Sequence, residues 1–286
     1  MLSSKVKEIM NRDVTTTGSS TPILDTVQTM AGQNVGRIVI ADDQTPVGIF
    51  TDHDLLRRVM HRKINLKKAS IKKVMTTPIR WVQEDAPILD VLGQMYRGKF
   101  RHMLVRSETG KILGLVSIRR IFKIAVESGQ GARKTRSVGS IMSGRPFKVD
   151  AASSIFDSIK GMVEKDTCAA IVMEKRQPKG IFTSRDVLHR IVGKNIDTKK
   201  TPVKDVMTAN PVILSVSESV NAALTKMYDG NFRHLPIMNE NGNVVGMVTM
   251  ADVLKYAKVL DLDGTVRRTW KEIKEFWDTE EQYTPG

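Results

Sequence analysis

The segment GIFTDHD, residues 48–54, recurs three times along this chain of 286 residues. Each copy begins with glycine, continues with two apolar residues and has a hydroxyl side chain fourth. The other copies read GLVSIRR at 114–120, GIFTSRD at 180–186 and GMVTMAD at 246–252. A fixed period of this kind indicates a tandem repeat. The change from apolar to polar residues predicts that a strand ends and a helix begins within the segment.

Two further features recur with the same period. A short helical turn that ends in methionine opens each repeat, as VKEIM (6–10), IKKVM (71–75), VGSIM (138–142) and VKDVM (203–207). Thirteen residues after each methionine, an apolar residue begins a predicted helix, at Ile23, Ile88, Ile155 and Val220. In the first repeat Val27 and Met30 share a helical face with Ile23. Each repeat is therefore predicted to have the order strand, helix, strand, strand, helix, which is an α+β unit.

One unit of about 60 residues is too small to bury both faces of its sheet. We therefore expect the units to pair, giving two modules with pseudo-two-fold symmetry at residues 1–130 and 131–260. The polar segment 128–137, SGQGARKTRS, is predicted to link them. The expected units are 1–64, 65–130, 131–197 and 198–260, followed by a helical tail at 261–286.

The tail lies outside the repeat. Thr269 and Glu272 have the spacing of a capping box, which predicts a helix start. One face of this helix would carry Trp270, Ile273 and Trp277. Such a face can dock on a partner protein, or it can pack on the second module or on a second copy of the chain.

The bulk composition limits the location and the partners. The net charge of +14 favours anionic ligands, and Cys168 is the single cysteine, so no intrachain disulfide can form. The N-terminal ten residues lack a signal-peptide core, and the sequence has no apolar run of membrane-spanning length. We expect a soluble cytoplasmic protein. A basic run at 57–73 leaves nucleic acid open as a partner, although a solvated surface explains such a run equally simply.

Catalytic motifs are missing from the sequence. It contains no Walker A loop, no HExxH, no GxSxG and no Cys-x-x-Cys, and no acid–base pair or metal cluster stands out. The sequence therefore predicts a protein without an enzymatic activity or a bound metal.

The hydroxyl residue and the acidic residue of the repeated segment suit a phosphorylated sugar. A hydroxyl at a helix N-terminus caps the first turn, and the same terminus favours an anion such as phosphate. An aspartate three residues later offers two acceptor oxygens to a ribose diol. The alternative is structural, because Thr-x-x-Asp is close to a capping box. Both roles are compatible in one segment.

Four copies of this pattern in one register resemble the CBS domain, named for cystathionine β-synthase, over residues 3–260. In that family two motifs pack through their sheets into a Bateman module, whose clefts bind AMP, ADP, ATP, S-adenosylmethionine or related adenosyl ligands. The chain is similar to the nucleotide-sensing gamma subunits of AMP-activated protein kinase. The resemblance implies a regulatory protein whose four motifs form a disk, within one chain or between two chains.

The resemblance also implies roles for individual residues. The expected ribose contacts are Asp54, Asp186 and Asp252. The expected phosphate contacts in the same segments are Thr51, Thr183, Arg185 and Thr249. In the second repeat Arg120 replaces the aspartate and cannot accept a hydrogen bond from ribose. We expect this site to be empty or altered, with Arg120 either contacting phosphates of the paired repeat or lying at the surface.

Further contacts are expected at two other places in the repeat. Basic residues at the start of the second strand suit phosphate, and these are Arg37, Arg101, His102, Arg233 and His234. The third repeat has Cys168-Ala169 there instead. The adenine is expected against the first strand, at Val14, Ile79, Phe147 and Val212. Core packing is the simpler alternative for those four apolar residues.

Two other functions stay open at this point. A nucleic-acid-binding regulator would use the basic runs, and its affinity would fall steeply with salt. A subunit that acts on a catalytic partner would need the tail, so that removing 261–286 would abolish the partner but not nucleotide binding.

Overall fold

The computed structural model describes residues 5–43, 45–62, 64–98, 100–121, 136–194 and 196–256. The predicted tail, most of the predicted linker and the side chains of Tyr96 and 254–256 lie outside the described part of the chain. Within it, all four repeats have the predicted α+β architecture. None of the helices in these ranges is long and apolar enough to cross a membrane.

The first helix of each repeat starts at the predicted apolar residue. These helices are Ile23–Gly32, Ile88–Arg97, Ile155–Glu164 and Val220–Asp229. Ser154 and Ser219 cap the last two, since their side chains accept hydrogen bonds from the backbone N–H three residues later. Local sequence thus fixes where these helices begin, and their apolar faces are buried.

Each repeat contains a three-stranded sheet. A short first strand runs parallel to the second, and the second and third form an antiparallel hairpin. The strands of the first two repeats are Thr16–Thr17, Arg37–Asp42, Thr45–Thr51, Trp81–Gln83, His102–Arg106 and Ile112–Ser117. Those of the last two are Lys148–Asp150, Ala169–Glu174, Gln177–Thr183, Leu214–Ser215, His234–Met238 and Val244–Thr249.

A second helix closes the repeat directly after the hairpin. It spans Asp52–Asp54 in the first repeat and Ser184–Asp186 in the third, and both continue with π-helical hydrogen bonding as Leu55–Met60 and Val187–Ile191. In the fourth repeat it spans Met250–Tyr256. In the second repeat only its start, 118–121, is described.

The opening turns are exchanged between the repeats of a pair. These short 3-10 turns are Val6–Glu8, Ile71–Lys73, Val138–Ser140 and Val203–Asp205. Val6 N donates to Ala86 O at 2.9 Å, so the first turn packs on the second repeat. In return, Thr76 bridges to Ile49 of the first repeat. The strand Thr208–Ala209 likewise joins the sheet of the third repeat, antiparallel to Gln177–Thr183.

The glycine of the repeated segment makes this exchange possible. A Cβ on Gly48 would lie 2.6 Å from Met75 Sδ, and one on Gly114 would lie 2.6 Å from the carbonyl oxygen of Asn11. Only glycine leaves room for the partner's methionine and backbone at this position. Gly180 meets Met207 and Gly246 meets Met142 in the same way.

The hydrophobic core joins the four repeats into a closed ring. One large cluster packs helices of repeats 1 and 3 together, and the other packs those of repeats 2 and 4. Two small clusters join the sheets within a pair, with Val39 and Leu104 in one and Ile171 and Met247 in the other. The four repeats therefore form a disk within one chain.

Candidate functional site

The strand register brings the two predicted phosphate-binding positions side by side. In each hairpin the first residue of the second strand pairs with the hydroxyl residue of the third strand. The pairs are Arg37 with Thr51, His102 with Ser117, Ala169 with Thr183 and His234 with Thr249. The sequence separates these residues by about 14 positions, but the hairpin places them next to each other at the start of the closing helix.

The repeated segment forms a capping box in the third repeat. Asp186 Oδ2 accepts hydrogen bonds from the backbone N–H and the hydroxyl of Thr183, both at 2.8 Å. Thr183 Oγ1 in turn accepts from the Asp186 backbone N–H at 3.4 Å. The same three bonds occur in Thr51–Asp54 and Thr249–Asp252. All three aspartates therefore take part in capping the closing helix, which is the structural alternative given in the sequence analysis.

The other oxygen of Asp186 holds the opening turn of the fourth repeat. Asp186 Oδ1 accepts from Thr208 Oγ1 at 3.0 Å and pairs with Arg190 at 3.2 Å. Arg190 also donates to the carbonyl oxygens of Val206, at 2.9 Å, and of Met207. Asp186 is buried, so its carboxylate ties the closing helix to the exchanged turn.

The first repeat has the same arrangement. Asp54 Oδ1 accepts from Thr76 Oγ1 at 2.9 Å and lies 3.4 Å from Arg58, which donates to the carbonyl oxygens of Val74 and Met75. A carboxylate offers about four lone-pair sites, so the donors around Asp54 and Asp186 match that number. Among the described residues, Asp252 has hydrogen bonds only with Thr249.

A cavity of about 460 Å³ opens beside Asp186, and we call it the second-module cavity. Six of the predicted contact residues line it: Thr183, Arg185, Asp186, Val212, Arg233 and His234. Val212 is 42% exposed, an unusual state for a large aliphatic side chain, and it gives the cavity an apolar wall. The volume is within the range of small-molecule sites.

A second cavity of about 310 Å³ lies where all four repeats meet, and we call it the central cavity. Its lining includes five arginines, Arg37, Arg101, Arg119, Arg185 and Arg233, and two histidines, His102 and His234. Arg185, Arg233 and His234 line both cavities, so the two share a cationic wall. Thr249 also contacts the central cavity.

The buried carboxylate of Asp52, in the first repeat, bonds to one of these arginines in the fourth repeat. Arg233 donates to Asp52 Oδ2 at 2.8 Å, and Asp52 is only 3% exposed. Burial acts to raise the pKa of Asp52, but the charges of Arg233 and Arg101 outweigh burial and hold that pKa below its ordinary value. Asp52 is therefore ionised, and it links the first repeat to the fourth. Arg185 makes a second link, to Asn34 Oδ1 at 2.7 Å.

The two histidines of the central cavity are neutral at pH 7. Burial and the charges of Arg233 and Arg101 lower the pKa of His234 to about 3. Burial and the charges of Arg37 and Arg101 hold the pKa of His102 well below its ordinary value. Neutral imidazoles still donate one N–H each, so both can bind a phosphate oxygen without being charged.

Cys168 also lines the central cavity, and its Sγ lies 2.7 Å from His53 Nδ1. Burial raises the pKa of the Cys168 thiol above its ordinary value. The thiol is therefore protonated at neutral pH, as a small buried side chain usually is.

The family model for the CBS domain matches residues 6–61, 71–127, 138–193 and 203–259. These four matches cover most of the chain and coincide with the four repeats. The chain belongs to the CBS-domain family. Each of its two modules is accordingly a Bateman module.

Several known proteins are similar to this CBS-domain chain. The CBS domain-containing proteins CBSCBSPB1 and CBSCBSPB3 of Arabidopsis thaliana are both 27% identical to it, over 98% and 96% of the chain. The meiotically up-regulated gene 70 protein of Schizosaccharomyces pombe is 23% identical over 91% of the chain. The chain spans 59%, 56% and 43% of the length of these three relatives.

Two solved structures share the fold. Protein MJ1225 of Methanocaldococcus jannaschii, described as a putative archaeal homologue of g-AMPK, has a TM-score of 0.76 and 16% identity, with 88% of this chain and 99% of that protein covered. An uncharacterised conserved protein of Pyrococcus horikoshii has a TM-score of 0.59 and 17% identity, with 88% and 98% covered.

In the second CBS repeat Arg120 stands where the other repeats have an aspartate. Arg120 Nε donates to the carbonyl oxygen of Ile9 at 3.0 Å, so this side chain holds the exchanged opening turn. The space beside Val14 and Arg37 measures only about 20 Å³, which is too small for a nucleotide.

The four predicted adenine contacts have different surroundings. Val14 and Ile79 pack in the small cluster between the sheets of the first Bateman module. Phe147 packs on the core and against Gly161, where a Cβ would overlap the phenyl ring. Val212 alone among the four is exposed toward a cavity.

Several contributors to the site, among them Asp52 and Arg190, were not predicted from the sequence. Arg119 lines the central cavity and occupies the same repeat position as Arg185, so the repeat register would have identified it. Thr208 and its counterpart Thr76 directly follow the methionine of the opening turn. Their contact with an aspartate of the paired repeat depends on the exchange of the turns. No group of three or more metal-ligating side chains occurs in the ranges given above.

Proposed function

We propose that this CBS-domain protein is a regulatory sensor without a catalytic activity of its own. It binds an adenine nucleotide or a related adenosyl ligand in the second Bateman module and transmits occupancy to a partner protein. The observation that carries the proposal is the second-module cavity, which unites an exposed apolar side chain, a ribose-type carboxylate and phosphate-type donors.

The lining supports one orientation of the ligand. Val212 provides the apolar wall for adenine, and Asp186, which lines the same cavity, accepts hydrogen bonds from the ribose hydroxyls. Arg185, Arg233 and His234 then receive the phosphate, beside the closing-helix N-terminus that Thr183 caps.

The ribose has to compete with donors that already occupy Asp186. The contact that yields most easily is the ion pair with Arg190, because the Arg190 side chain is 44% exposed. Exposed ion pairs contribute about 0.2–1 kcal/mol, so displacing this one is a small cost beside a micromolar binding energy of about 8 kcal/mol. The capping bonds to Thr183 stay intact.

Isothermal titration calorimetry of the full chain with AMP, ADP, ATP and S-adenosylmethionine at physiological salt tests the proposal. We expect micromolar binding of at least one ligand, weakened about tenfold or more by Asp186→Ala. Asp157→Ala is the matched control, because Asp157 is an exposed helix-capping aspartate of the same repeat outside the cavity. Absence of binding by a folded protein, or equal losses in both variants, would refute the proposal.

The remaining predicted contacts are part of the same proposal. Asp54 and Asp252 are proposed as ribose contacts of further sites, and the repeats are proposed to end at residues 64, 130, 197 and 260. The tail, 261–286, is proposed as the docking segment for the partner or for a second copy of the chain. Deleting the tail should abolish partner binding and leave nucleotide affinity unchanged.

A nucleic-acid-binding regulator is the second candidate. Five cationic side chains in the loop after the first repeat are exposed: Arg62, Lys67, Lys68, Lys72 and Lys73. That loop has no acidic residue between 61 and 73. If this loop binds a phosphate backbone, affinity for DNA or RNA should fall steeply between 50 and 200 mM salt, by about 10³-fold for six contacts.

A further inference from the structure

Two surface loops, in repeats 1 and 3, carry lysines at matching positions. The loops are residues 61–73 and 193–205, and each leads from the closing helix of its repeat through the opening turn of the next. Three lysines of one loop have an exposed counterpart in the other, and the pairs are Lys67 with Lys199, Lys68 with Lys200 and Lys72 with Lys204. The other exposed cations among the described residues of the loops are Arg62, Lys73 and Lys194. Equivalent parts of the fold thus present the positive charge twice.

Hydrogen bonds fix the backbone where the central lysines lie. In the first loop, Asn65 Oδ1 accepts from the backbone N–H of Lys67 at 3.1 Å and of Lys68 at 3.2 Å. In the second loop, Asp197 Oδ1 accepts from the backbone N–H of Lys199 at 3.0 Å. These are local turns in which a short polar side chain bonds to the backbone two or three residues later. The two loops therefore hold their lysines in the same local geometry.

The two loops meet at the N-terminal end of the first helix, Ile23–Gly32. Leu24 N donates to the carbonyl oxygen of Leu66, in the first loop, at 3.0 Å. A Cβ on Gly193, at the start of the second loop, would lie 3.7 Å from Leu24 Cδ1 and 3.4 Å from Gln28 Nε2. One helix thus contacts both loops, at the edge of the disk where repeats 1 and 3 pack together. We call the exposed cations of the two loops the lysine edge.

The lysine edge has an excess of positive charge. The described side chains of the two loops include nine cations and two carboxylates, those of Asp197 and Asp205. Asp25, Asp42 and Asp157, in the adjoining elements, are exposed and add three negative charges. No residue of either loop lines the second-module cavity or the central cavity, so these cations are separate from the proposed nucleotide site.

The composition of the loops favours a duplex among anionic partners. A DNA duplex carries one negative charge per about 1.7 Å of its axis, so two adjoining loops can contact several phosphates at once. Single strands are held largely by bases that stack on aromatic side chains, and neither loop contains Phe, Tyr or Trp. A site on a membrane surface inserts apolar side chains, and the described residues of these loops include no exposed one.

We propose that the lysine edge binds double-stranded nucleic acid through its phosphates, without reading the bases. The proposal rests on the second candidate function given above. It adds the loop of the third repeat to the surface and names a duplex as the partner. Both loops contact one duplex together, so each contributes its own share of the dependence on salt.

The test measures binding of a labelled DNA duplex of about 24 base pairs to the full chain by fluorescence anisotropy, between about 50 and 300 mM salt. Two double variants are compared, Lys67→Gln with Lys68→Gln, and Lys199→Gln with Lys200→Gln. We expect each to lower the slope of log affinity against log salt by about 1.8, at about 0.9 per lysine, and to weaken binding about tenfold or more at low salt. Combining all four changes should lower the slope by about 3.6.

A matched control removes two charges elsewhere. Lys111 and Lys226 are exposed and belong to repeats 2 and 4, so Lys111→Gln with Lys226→Gln should leave the slope unchanged. Circular dichroism melting should show every variant to be folded. An equal loss in this control, or a slope that responds to only one of the two loops, would overturn the shared surface.

Further probes separate this proposal from the functions on which it rests. A single strand of the same length that binds as tightly as the duplex would overturn the duplex and keep a nucleic-acid-binding regulator. Tighter binding to vesicles of anionic phospholipid than to the duplex would overturn the proposal in favour of a membrane surface. Absence of binding to either nucleic acid would overturn both the proposal and the second candidate. Calorimetry with nucleotides should give the same affinity for the lysine variants as for the original chain, because these lysines lie outside both cavities.

Discussion

Replacing Gly180 by alanine should weaken nucleotide binding in the second-module cavity, although Gly180 does not line that cavity. A Cβ on Gly180 would lie 2.8 Å from Met207 Cγ and 2.9 Å from Thr208 O, and it would also overlap Met207 Sδ. Ordinary contacts begin near 3.4 Å, so the carbonyl of Thr208 must retreat by about 0.5 Å. The thioether can rotate away, but the backbone of the exchanged turn can move only as a unit.

The expected loss of stability can be calculated from this overlap. Overpacking of this kind costs about 1–3 kcal/mol of unfolding free energy, or a fall in Tm of about 2–12 °C for a unit of this size. The shifted Thr208 also loses its 3.0 Å hydrogen bond to Asp186, which is worth about 0.5–1.5 kcal/mol. Thr208 also lines the second-module cavity, so its displacement distorts the wall that the ligand contacts, and nucleotide affinity should fall about 3- to 10-fold.

Two glycine controls isolate the cause. Gly48→Ala creates a similar but smaller overlap with Met75 in the first module, so it should lower Tm by a similar or smaller amount and leave second-module affinity unchanged. Gly144→Ala meets nothing within 4 Å and should leave both quantities near their original values. Melting curves followed by circular dichroism, with calorimetric titrations, provide both readouts. The reasoning is wrong if Gly180→Ala melts like the original chain, or if Gly48→Ala weakens the ligand equally.

Two further predictions concern the threonines that bond to the buried aspartates and the buried histidines of the central cavity. Thr208→Val should lower the unfolding free energy by about 1 kcal/mol and weaken nucleotide binding, because Thr208 bonds to Asp186. Thr76→Val should lower the unfolding free energy by a similar amount and leave nucleotide binding unchanged, because Thr76 bonds to Asp54 in the first module. Urea titrations measure the stability and calorimetry the affinity, and equal losses of affinity in both variants would contradict the prediction. Because folded His102 and His234 have a pKa below the 6.5 of an unfolded histidine, the unfolded chain binds more protons as pH falls below 6.5. Stability should therefore fall as the pH drops from 7 to 5.5, by on the order of 1 kcal/mol for His234, and His102 should act in the same direction. A Tm that did not respond to pH, or the same response in His234→Gln, would contradict this.

The order of elements within a repeat could be predicted from the sequence because it depends on local signals. The apolar period placed the starts of the four first helices at Ile23, Ile88, Ile155 and Val220. The hydroxyl residue marked the junction of strand and helix, and the capping bonds of Thr183 and Asp186 form there. These signals act over a few residues, and a sequence displays them directly.

The contacts between repeats could not be predicted in the same way. All four repeats carry nearly the same apolar pattern, so the pattern does not say that repeat 1 packs its helices on repeat 3. The pairing of Arg233 with Asp52 joins residues 181 positions apart, and their sequence neighbours give no sign of it. Phe147 has the size and spacing of an adenine contact, yet its packing against Gly161 depends on tertiary structure.

The exchanged opening turns also restrict how such a gene can lengthen. A duplication that copied a single repeat would add a repeat without a partner. The glycine of its hairpin would have no methionine turn packed against it, and its own opening turn would have no hairpin to pack on. A duplication of two adjacent repeats would supply both halves of the exchange at once. Selection on folding therefore favours chains of this kind with an even number of repeats, and this chain has four.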